Sequence, residues 1–190
     1  MKVFFTASQK GKEQFDEYYH LIFNQINSMG HKNIDDRVIN STAEEFYDRL
    51  KKEGVKAYNA LFKENIRLLQ EADINIFECS FQSFSIGYMV QKSIELNKPT
   101  VALYLPNNTL YFLAGSDDDL LIIKSYTKDT LKKVLQEIFD EARNITDKRF
   151  NFFISPSLLT YLNDVSKNQG ITKSTFIRNL LLENKRKSIE

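Results

Sequence analysis

Short continuous apolar runs alternate along this chain with longer stretches whose apolar residues recur at helical spacing. The short runs predict strands at residues 2–7, 74–79 and 100–105, and further short apolar runs lie at 109–113 and 120–123. The helical spacing predicts helices at residues 11–29, 42–52, 57–71, 85–97 and 128–143. Residues 31–41 are polar and predict a loop.

Strands that alternate with helices predict an α/β sandwich with a parallel sheet. Ligands of such sheets bind in the loops that follow the carboxyl ends of the strands. Here those loops are residues 8–12, 80–85 and 106–109, which are rich in hydroxyl, amide and glycine groups. This composition suits an anionic ligand, although loops of any function are polar.

The bulk composition narrows the class of protein. A chain of 190 residues is one domain, or one domain with a small appendage. Its apolar runs are strand-sized, so no membrane association is expected. The single cysteine, Cys79, excludes an intrachain disulfide and favours a cytoplasmic location. His20 and His31 lack partners at metal-ligand spacing, so neither a metal site nor a cofactor is expected.

The net charge of +1 hides an asymmetry between the two ends of the chain. From Lys148 onward there are eight Lys and Arg residues against three Asp and Glu, a net charge of +5. The first 147 residues carry a net charge of −4. A basic tail on an acidic body indicates two units, residues 1–145 and 146–190, and the second is a candidate for binding a polyanion. A solvated basic terminus is the alternative.

The body carries the segments 3-VFFTASQKGKEQF-15 and 72-ADINIFECSFQSFSIGYMVQKSIELNKPTVALY-104. Their order and spacing resemble the nucleoside 2-deoxyribosyltransferase superfamily, including its nucleotide N-glycosidase branch. The resemblance covers about three quarters of the chain. It implies a flavodoxin-like three-layer sandwich whose sites are often completed across a homodimer.

The resemblance also implies two carboxylates, a Glu that attacks the anomeric carbon and an Asp that handles the leaving base. Here Met89 stands at the Glu position and Asn65 at the Asp position. A thioether is not such a nucleophile, and an amide is not a general acid. We therefore expect no catalytic residues at these degenerate positions. A misalignment that brings Glu64 or Glu78 into play is the alternative.

The features that hold a phosphate in this family are better matched. Ser8, Lys10 and Gly11 resemble its Gly-Ser-x-Arg-Gly loop, with Lys in place of Arg. The remaining ligand positions implied by the resemblance are Ser83, Gly87 and Thr109. Gly87 begins the segment Gly-Tyr-Met of this chain, where the resembled family has Gly-Tyr-Glu. The sequence thus predicts a pocket that binds a nucleotide or nucleoside without cutting it.

The tail, 148-KRFNFFISPSLLTYLNDVSKNQGITKSTFIRNLLLENKRK-187, predicts a strand at 149–154 and two helices. Ser155 and Pro156 start the first helix, Gly170 ends it, and Thr172 caps the second. The predicted inward positions are Leu158, Leu159, Leu162, Val165, Phe176, Ile177, Leu180 and Leu181. Forty residues are too few to bury a core alone, so the tail is expected to pair with a second copy.

This tail resembles the ribbon-helix-helix DNA-binding fold over its whole length. In that family a two-stranded ribbon enters the major groove. Phe150, Phe152 and Ile154 would form the core face of the ribbon. The residues that would contact DNA are Arg149, Asn151 and Phe153 on its outer face, and Thr172, Lys173 and Ser174 at the start of the second helix. A bulky Phe153 at a reading position is unusual, and a ribbon that serves dimerisation alone is the alternative.

The sequence therefore predicts a homodimeric DNA-binding regulator with a catalytically degenerate nucleotide-binding body. The first alternative is an active nucleoside 2-deoxyribosyltransferase or nucleotide N-glycosidase that uses the tail to dimerise. The second is an antitoxin-like or scaffolding dimer.

Overall fold

The computed structural model describes residues 1–111, 113–145 and 153–187 of the chain. The chain divides into two compact units, Met1–Asp147 and Lys148–Glu190. We refer to the first as the body and to the second as the C-terminal unit.

The body contains a five-stranded sheet in which every neighbouring pair is parallel. The strands are β1 Lys2–Ala7, β2 Lys32–Asn33, β3 Ile74–Glu78, β4 Thr100–Tyr104 and β5 Leu121–Ser125. Their order in the sheet is β2-β1-β3-β4-β5. This is the doubly wound order of flavodoxin-like folds, so the predicted fold class is confirmed.

In the part of the body that the structure describes, six α-helices connect and cover the strands. They are α1 Lys12–Ser28, α2 Arg37–Asn40, α3 Ala43–Glu53, α4 Val55–Glu71, α5 Phe84–Glu95 and α6 Leu131–Ile145. A capping box starts α3: Thr42 Oγ1 accepts from the Glu45 amide at 3.1 Å, and Glu45 Oε2 accepts from the Thr42 amide at 2.9 Å.

Two segments differ from the prediction. Residues 31–41, predicted as a loop, contain the short strand β2 and the short helix α2. β2 was missed because it is a two-residue edge strand that pairs only with Lys2 and Val3 and carries no apolar pattern. The apolar run at 109–113 forms no strand in its described residues, and a 3-10 turn follows at Leu113–Gly115. The run at 120–123 does become part of β5.

Both faces of the sheet are covered by apolar clusters. Along β1, Val3, Phe5 and Ala7 belong to one cluster, whereas Phe4 belongs to the other. This alternation follows from the two-residue period of a strand. Strands that are buried on both faces read as continuous apolar runs, which is why the sequence located β1, β3 and β4 well.

The C-terminal unit contains α7 Pro156–Gln169 and α8 Lys173–Lys187. As predicted, Ser155 caps α7, where its Oγ accepts from the Leu158 amide at 3.4 Å, and Pro156 occupies the first turn. Gly170 has a φ of 64°, a left-handed conformation that favours glycine at a helix end. Residues 149–152 of the predicted strand lie outside the described residues. Phe153 and Ile154 have no regular secondary structure.

The apolar face predicted for this unit is only partly covered. Leu162 is buried, but Leu158, Leu159, Leu180 and Leu181 are 40% to 65% exposed. The single chain leaves these predicted inward positions partly uncovered, and their burial against a second copy stays a prediction. Two helices alone provide too little surface to cover them.

Among the described residues, no helix has the length and apolar character needed to cross a membrane.

Candidate functional site

The strand order has its switch point between the carboxyl ends of β1 and β3. The chain runs from β1 to β2 on one side of β1, and it then returns to form β3 on the other side of β1. Ligands of doubly wound sheets bind at such a switch point. The turn after β1, Gln9–Gly11, meets the loop after β3. A methyl group placed on Gly11 would lie 2.7 Å from the Phe81 Cβ atom. We call the region formed by these two loops the switch-point crevice.

The turn after β1 holds three of the predicted ligand residues. Ser8 is buried, and its carbonyl accepts from the Gly11 amide at 3.0 Å and from the Tyr19 hydroxyl at 3.4 Å. Lys10 is exposed, with its Nζ 5.9 Å from the centre of the Tyr47 ring. This amine is therefore available to an anion that enters from solvent.

Gly11 has a packing role in addition to the one predicted for it. A Cβ atom at this position would lie 2.3 Å from the Tyr19 hydroxyl and 2.7 Å from Phe81. Separations below 3.0 Å are too short for real side chains, so only glycine allows the two loops to meet. The predicted approach of its backbone to a ligand remains a prediction.

The other predicted ligand residues follow β3 and β4. Ser83 caps α5, with its Oγ accepting from the Ile86 amide at 3.5 Å, so it lies at the positive end of a twelve-residue helix. Gly87 lies on α5 and faces open space. Thr109 is exposed, and its hydroxyl donates to the Pro106 carbonyl at 3.5 Å. Because β1, β3 and β4 are neighbours in the sheet, the loops that carry Ser8, Ser83 and Thr109 lie at one edge.

Met89 is a core residue. It lies on α5, is 8% exposed, and belongs to the apolar cluster that includes Leu68, Leu69 and Val90. A thioether fills irregular apolar space without an unsatisfied polar atom. The position where the resembled family carries its nucleophile is therefore apolar and largely closed to solvent in this chain.

Asn65 lies on α4 and is held by a residue that the sequence did not point to. The guanidinium of Arg37 donates from one terminal nitrogen to Asn65 Oδ1 at 2.8 Å and from Nε to Asp35 Oδ1 at 2.7 Å. Asp35 thus neutralises Arg37, and the amide of Asn65 is fixed in orientation. Position 65, where the resembled family carries an Asp, therefore holds a neutral amide. Nothing in the local sequence signals this contact, because 28 residues separate its partners.

The Arg37 carbonyl links α2 to the turn after β1. It accepts from Gln9 Nε2 at 3.3 Å and from the Ser41 hydroxyl at 2.7 Å. The amine of Lys12 donates to three further carbonyls at the end of this segment, those of Val38, Ile39 and Ser41, at 2.6 to 3.3 Å. The segment predicted as a loop is therefore fastened to the switch-point crevice.

Glu78, the last residue of β3, is a fully buried carboxyl. Its Oε1 accepts from the hydroxyls of Ser80 and Tyr126, the latter at 3.1 Å, and its Oε2 accepts from the Ser80 amide at 3.2 Å. Burial raises the pKa of Glu78 to about 7 even though these three hydrogen bonds act to lower it. An acidic residue at the end of a largely apolar strand was the sequence signal for this group.

Ser80 extends this network to the loop after β4. Its hydroxyl accepts from the Leu105 amide at 2.8 Å, and its carbonyl accepts from Asn108 Nδ2 at 3.0 Å. The carboxyl of Glu78 therefore supports the two loops that follow β3 and β4. Glu64, the other carboxylate considered at the sequence level, forms an ion pair with Arg67 at 2.7 Å on the exposed side of α4.

The residues predicted to contact DNA are described only in part. Arg149 and Asn151 lie outside the described residues. Phe153 is fully exposed. Thr172 caps α8 by accepting from the Thr175 amide at 3.1 Å, and Lys173 and Ser174 are exposed in the first turn of that helix.

Comparison with known proteins relates the chain to nucleotide N-hydrolases. No family model matches it. The 5-hydroxymethyl-dUMP N-hydrolase of Tetraodon nigroviridis is 21% identical over 150 residues, which cover 75% of this chain and 100% of that protein. Two archaeal proteins bear the name "Putative 2′-deoxynucleoside 5′-phosphate N-hydrolase 1". The protein from Methanosarcina mazei is 23% identical over 135 residues, covering 70% of this chain and 80% of its own. The protein from Methanococcoides burtonii is 26% identical over 110 residues, covering 58% and 85%.

These similarities extend over 58% to 75% of the chain. They favour the predicted enzyme-like alternative over the DNA-binding regulator. They provide no support for the ribbon-helix-helix resemblance, which stays a prediction. Fold and comparisons together support a nucleoside deoxyribosyltransferase-like domain in this chain.

Proposed function

We propose that the body binds a 2′-deoxynucleoside 5′-monophosphate in the switch-point crevice and leaves its N-glycosidic bond intact. The observation that carries this proposal is the contrast between two sets of positions. The turn Ser8–Gly11 and the Ser83 cap of α5 flank the crevice with a hydroxyl, an amine and a helix N-terminus. The two positions that carry carboxylates in the resembled family hold a buried thioether and an amide.

The phosphate is expected to lie near Lys10 and the first turn of α5. Helix N-termini bind anions through their free amides, and an exposed amine adds neutralising charge. The relatives named above are described as acting on 2′-deoxynucleoside 5′-phosphates and on 5-hydroxymethyl-dUMP. We take the ligand class for this chain from those names.

Isothermal titration calorimetry with dTMP and with thymidine tests the binding proposal. Lys10→Ala is expected to weaken dTMP binding roughly threefold to tenfold and to leave thymidine binding unchanged, because only dTMP carries a phosphate. Lys52→Ala, an exposed amine on α3, is the matched control. The proposal fails if the unmodified chain binds none of the deoxynucleoside monophosphates, or if both variants lose the same affinity.

A second candidate is an active 2′-deoxynucleotide N-hydrolase. The comparisons favour it. Glu78, the last residue of β3, has a pKa of about 7, which suits a general acid, but its carboxyl is fully buried, so this role would require the loop after β3 to open. The assay is release of free base from each deoxynucleoside monophosphate, separated by chromatography. Base release by the unmodified chain above a protein-free control would establish this candidate and overturn the proposal of binding without cleavage, and a Glu78→Gln variant would then test whether Glu78 takes part.

For the C-terminal unit we propose a homodimer that binds DNA. Its partly exposed leucines on α7 and α8, which include Leu158 and Leu181, favour a second copy as their cover. The net charge of +5 favours a polyanion. A scaffolding or antitoxin-like dimer is the alternative for a unit that dimerises without binding DNA.

Light scattering tests whether the chain is a dimer, and a DNA titration distinguishes a DNA-binding dimer from a scaffolding or antitoxin-like dimer. A Leu158→Ser and Leu181→Ser double variant is expected to be monomeric at micromolar concentration, whereas Tyr111→Ser, an exposed aromatic of the body, is the control that stays dimeric. Arg149→Ala is expected to weaken sequence-specific binding by roughly 1–3 kcal/mol, and Lys173→Ala to lower the salt dependence. A monomeric unmodified chain contradicts the dimer, and absence of DNA binding at low salt contradicts the nucleic-acid role.

A further inference from the structure

Gln9 carries a buried hydrogen-bond acceptor that the protein leaves unused. The residue directly follows Ser8 in the turn after β1 and is 9% exposed. Its Nε2 donates to the Arg37 carbonyl at 3.3 Å. Its Oε1 is buried and has no hydrogen-bond partner among the residues that the structure describes.

The hydrogen bond to the Arg37 carbonyl fixes which way the side-chain amide of Gln9 is turned. If the amide were turned over, Oε1 would face the carbonyl oxygen of Arg37, and two acceptors would repel each other. That carbonyl is itself held in place by the Ser41 hydroxyl at 2.7 Å. Nε2 must therefore face Arg37, and Oε1 must face the other way.

The place of this acceptor in the fold distinguishes it from the other orphaned acceptors in the described body. Asn33 lies on the edge strand β2, Asn75 lies at the amino end of β3, and Asp16 is paired with Lys12 at 3.2 Å. Of these buried acceptors in the described body, only that of Gln9 lies at the carboxyl edge of the sheet, between β1 and α1. This is the edge at which ligands of this fold bind.

We infer that Gln9 is a specificity-determining residue whose Oε1 accepts a hydrogen bond from an N–H or O–H group of the bound nucleotide. A buried acceptor without a partner is costly, and a ligand that supplies the donor removes this cost on binding. The donor is either an amino or imino group of the base or a hydroxyl of the deoxyribose. This inference rests on the proposed function, since it assigns a contact to the same crevice.

The inference predicts a selective change in affinity. Gln9→Met keeps the length of the side chain and removes the acceptor, so it is expected to weaken binding roughly 5- to 100-fold for ligands that carry the donor. Gln14→Met, the same substitution at an exposed position of α1, is the matched control. Thermal melts of both variants check that the fold is retained.

Calorimetry with a designed panel identifies the donor. The panel contains dAMP, dCMP, dGMP and dTMP, together with 2′-deoxynebularine 5′-monophosphate, which lacks the amino group of dAMP, and 2′,3′-dideoxyadenosine 5′-monophosphate, which lacks the sugar hydroxyl. The analogue without the donor should bind the unmodified chain and the Gln9→Met variant equally. Equal affinity of the two proteins for the deoxynebularine nucleotide would identify the amino group of adenine as the donor. Equal affinity for the dideoxy nucleotide would identify the sugar hydroxyl.

Three results have different consequences. Equal affinity of the unmodified chain and the Gln9→Met variant for the whole panel would overturn the inference and leave the proposed function standing. An equal loss for every member, both analogues included, would assign Gln9 a structural role and overturn it as well. Absence of binding of every nucleotide to the unmodified chain would overturn the proposed function and this inference with it.

Discussion

Replacement of Glu78 by Gln is expected to change how the stability of the body depends on pH. The unfolded carboxyl has a pKa of 4.5, and burial raises the pKa of the folded carboxyl to about 7. Between these values the folded chain holds one proton more than the unfolded chain. The contribution of Glu78 to stability is therefore fully present below pH 4.5 and is lost as the pH rises through 7.

The size of the effect follows from the same two pKa values. The free energy of unfolding falls by up to about 1.4 kcal/mol per pH unit inside this window. Integration from pH 5 to pH 8 gives a loss of about 2.5 kcal/mol for the unmodified chain. A Glu78→Gln variant lacks this loss, because the amide does not titrate. It carries a constant cost instead, since the Gln amide nitrogen cannot accept from the Ser80 amide as Oε2 does.

Other groups do not reproduce this behaviour. The pKa values of Tyr19, Cys79 and Tyr126, which lie around Glu78, are raised far above the window mainly by burial, so these groups stay protonated. Burial and the nearby N-terminal amine lower the pKa of His31. A lowered histidine pKa makes stability rise with pH, which is the opposite sign, and His31 is present in both proteins.

Urea unfolding followed by circular dichroism at pH 5, 6, 7 and 8 measures the effect. The difference in unfolding free energy between the unmodified chain and the Glu78→Gln variant is expected to change by about 2.5 kcal/mol across the series, in favour of the variant at high pH. Parallel curves for the two proteins would refute the reasoning. They would mean that Glu78 keeps an ordinary pKa despite its burial.

Three further variants test packing and helix capping in the body. Gly11→Ala is expected to destabilise the body by roughly 1–3 kcal/mol, seen as a lower urea midpoint, because its Cβ would overlap Tyr19 and Phe81; an unchanged midpoint would contradict this. Met89→Glu with Asn65→Asp restores both carboxylates and is expected to lower the midpoint by burying a charge; base release from dTMP by the double variant would show that the pocket is otherwise intact. Thr42→Ala is expected to cost about 1 kcal/mol by removing the cap of α3, and equal stability would argue against the capping box.

The sequence predicted the sheet well where burial is two-sided. β1, β3 and β4 are continuous apolar runs bounded by polar loops, and their order with the helices implied the parallel sheet. The short elements β2 and α2 were missed, since neither carries a periodic pattern. Their stability comes from contacts distant in sequence, such as the three bonds of Lys12 to carbonyls more than 25 residues away.

The sequence indicated which loops would form the candidate site, but it did not predict the contacts that their side chains make. Ser8, Lys10 and Ser83 were named because the loops that carry them resemble the phosphate-holding loops of a known family, and their contact with a ligand stays a prediction. The roles of Gln9 and Arg37 were not found, because each depends on a partner 28 residues distant. Gly11 was assigned to ligand approach, whereas its surroundings show that two loops meet there. A local pattern identifies which loops carry function, and tertiary contacts decide what each side chain does.

Under the proposed function, the charges around the switch-point crevice would favour retention of an anion over cleavage. Met89 contributes no charge, and the positive charge of Arg37 is balanced by Asp35 at 2.7 Å. The raised pKa of Glu78 leaves it largely uncharged below pH 7. Lys10 and the N-terminus of α5 therefore act on a phosphate with little opposition from carboxylates, while a glycosidic bond would find neither nucleophile nor acid at the two family positions. If the proposed function holds, the substitutions at positions 65 and 89 that remove the two family carboxylates also remove negative charge that would oppose a bound phosphate.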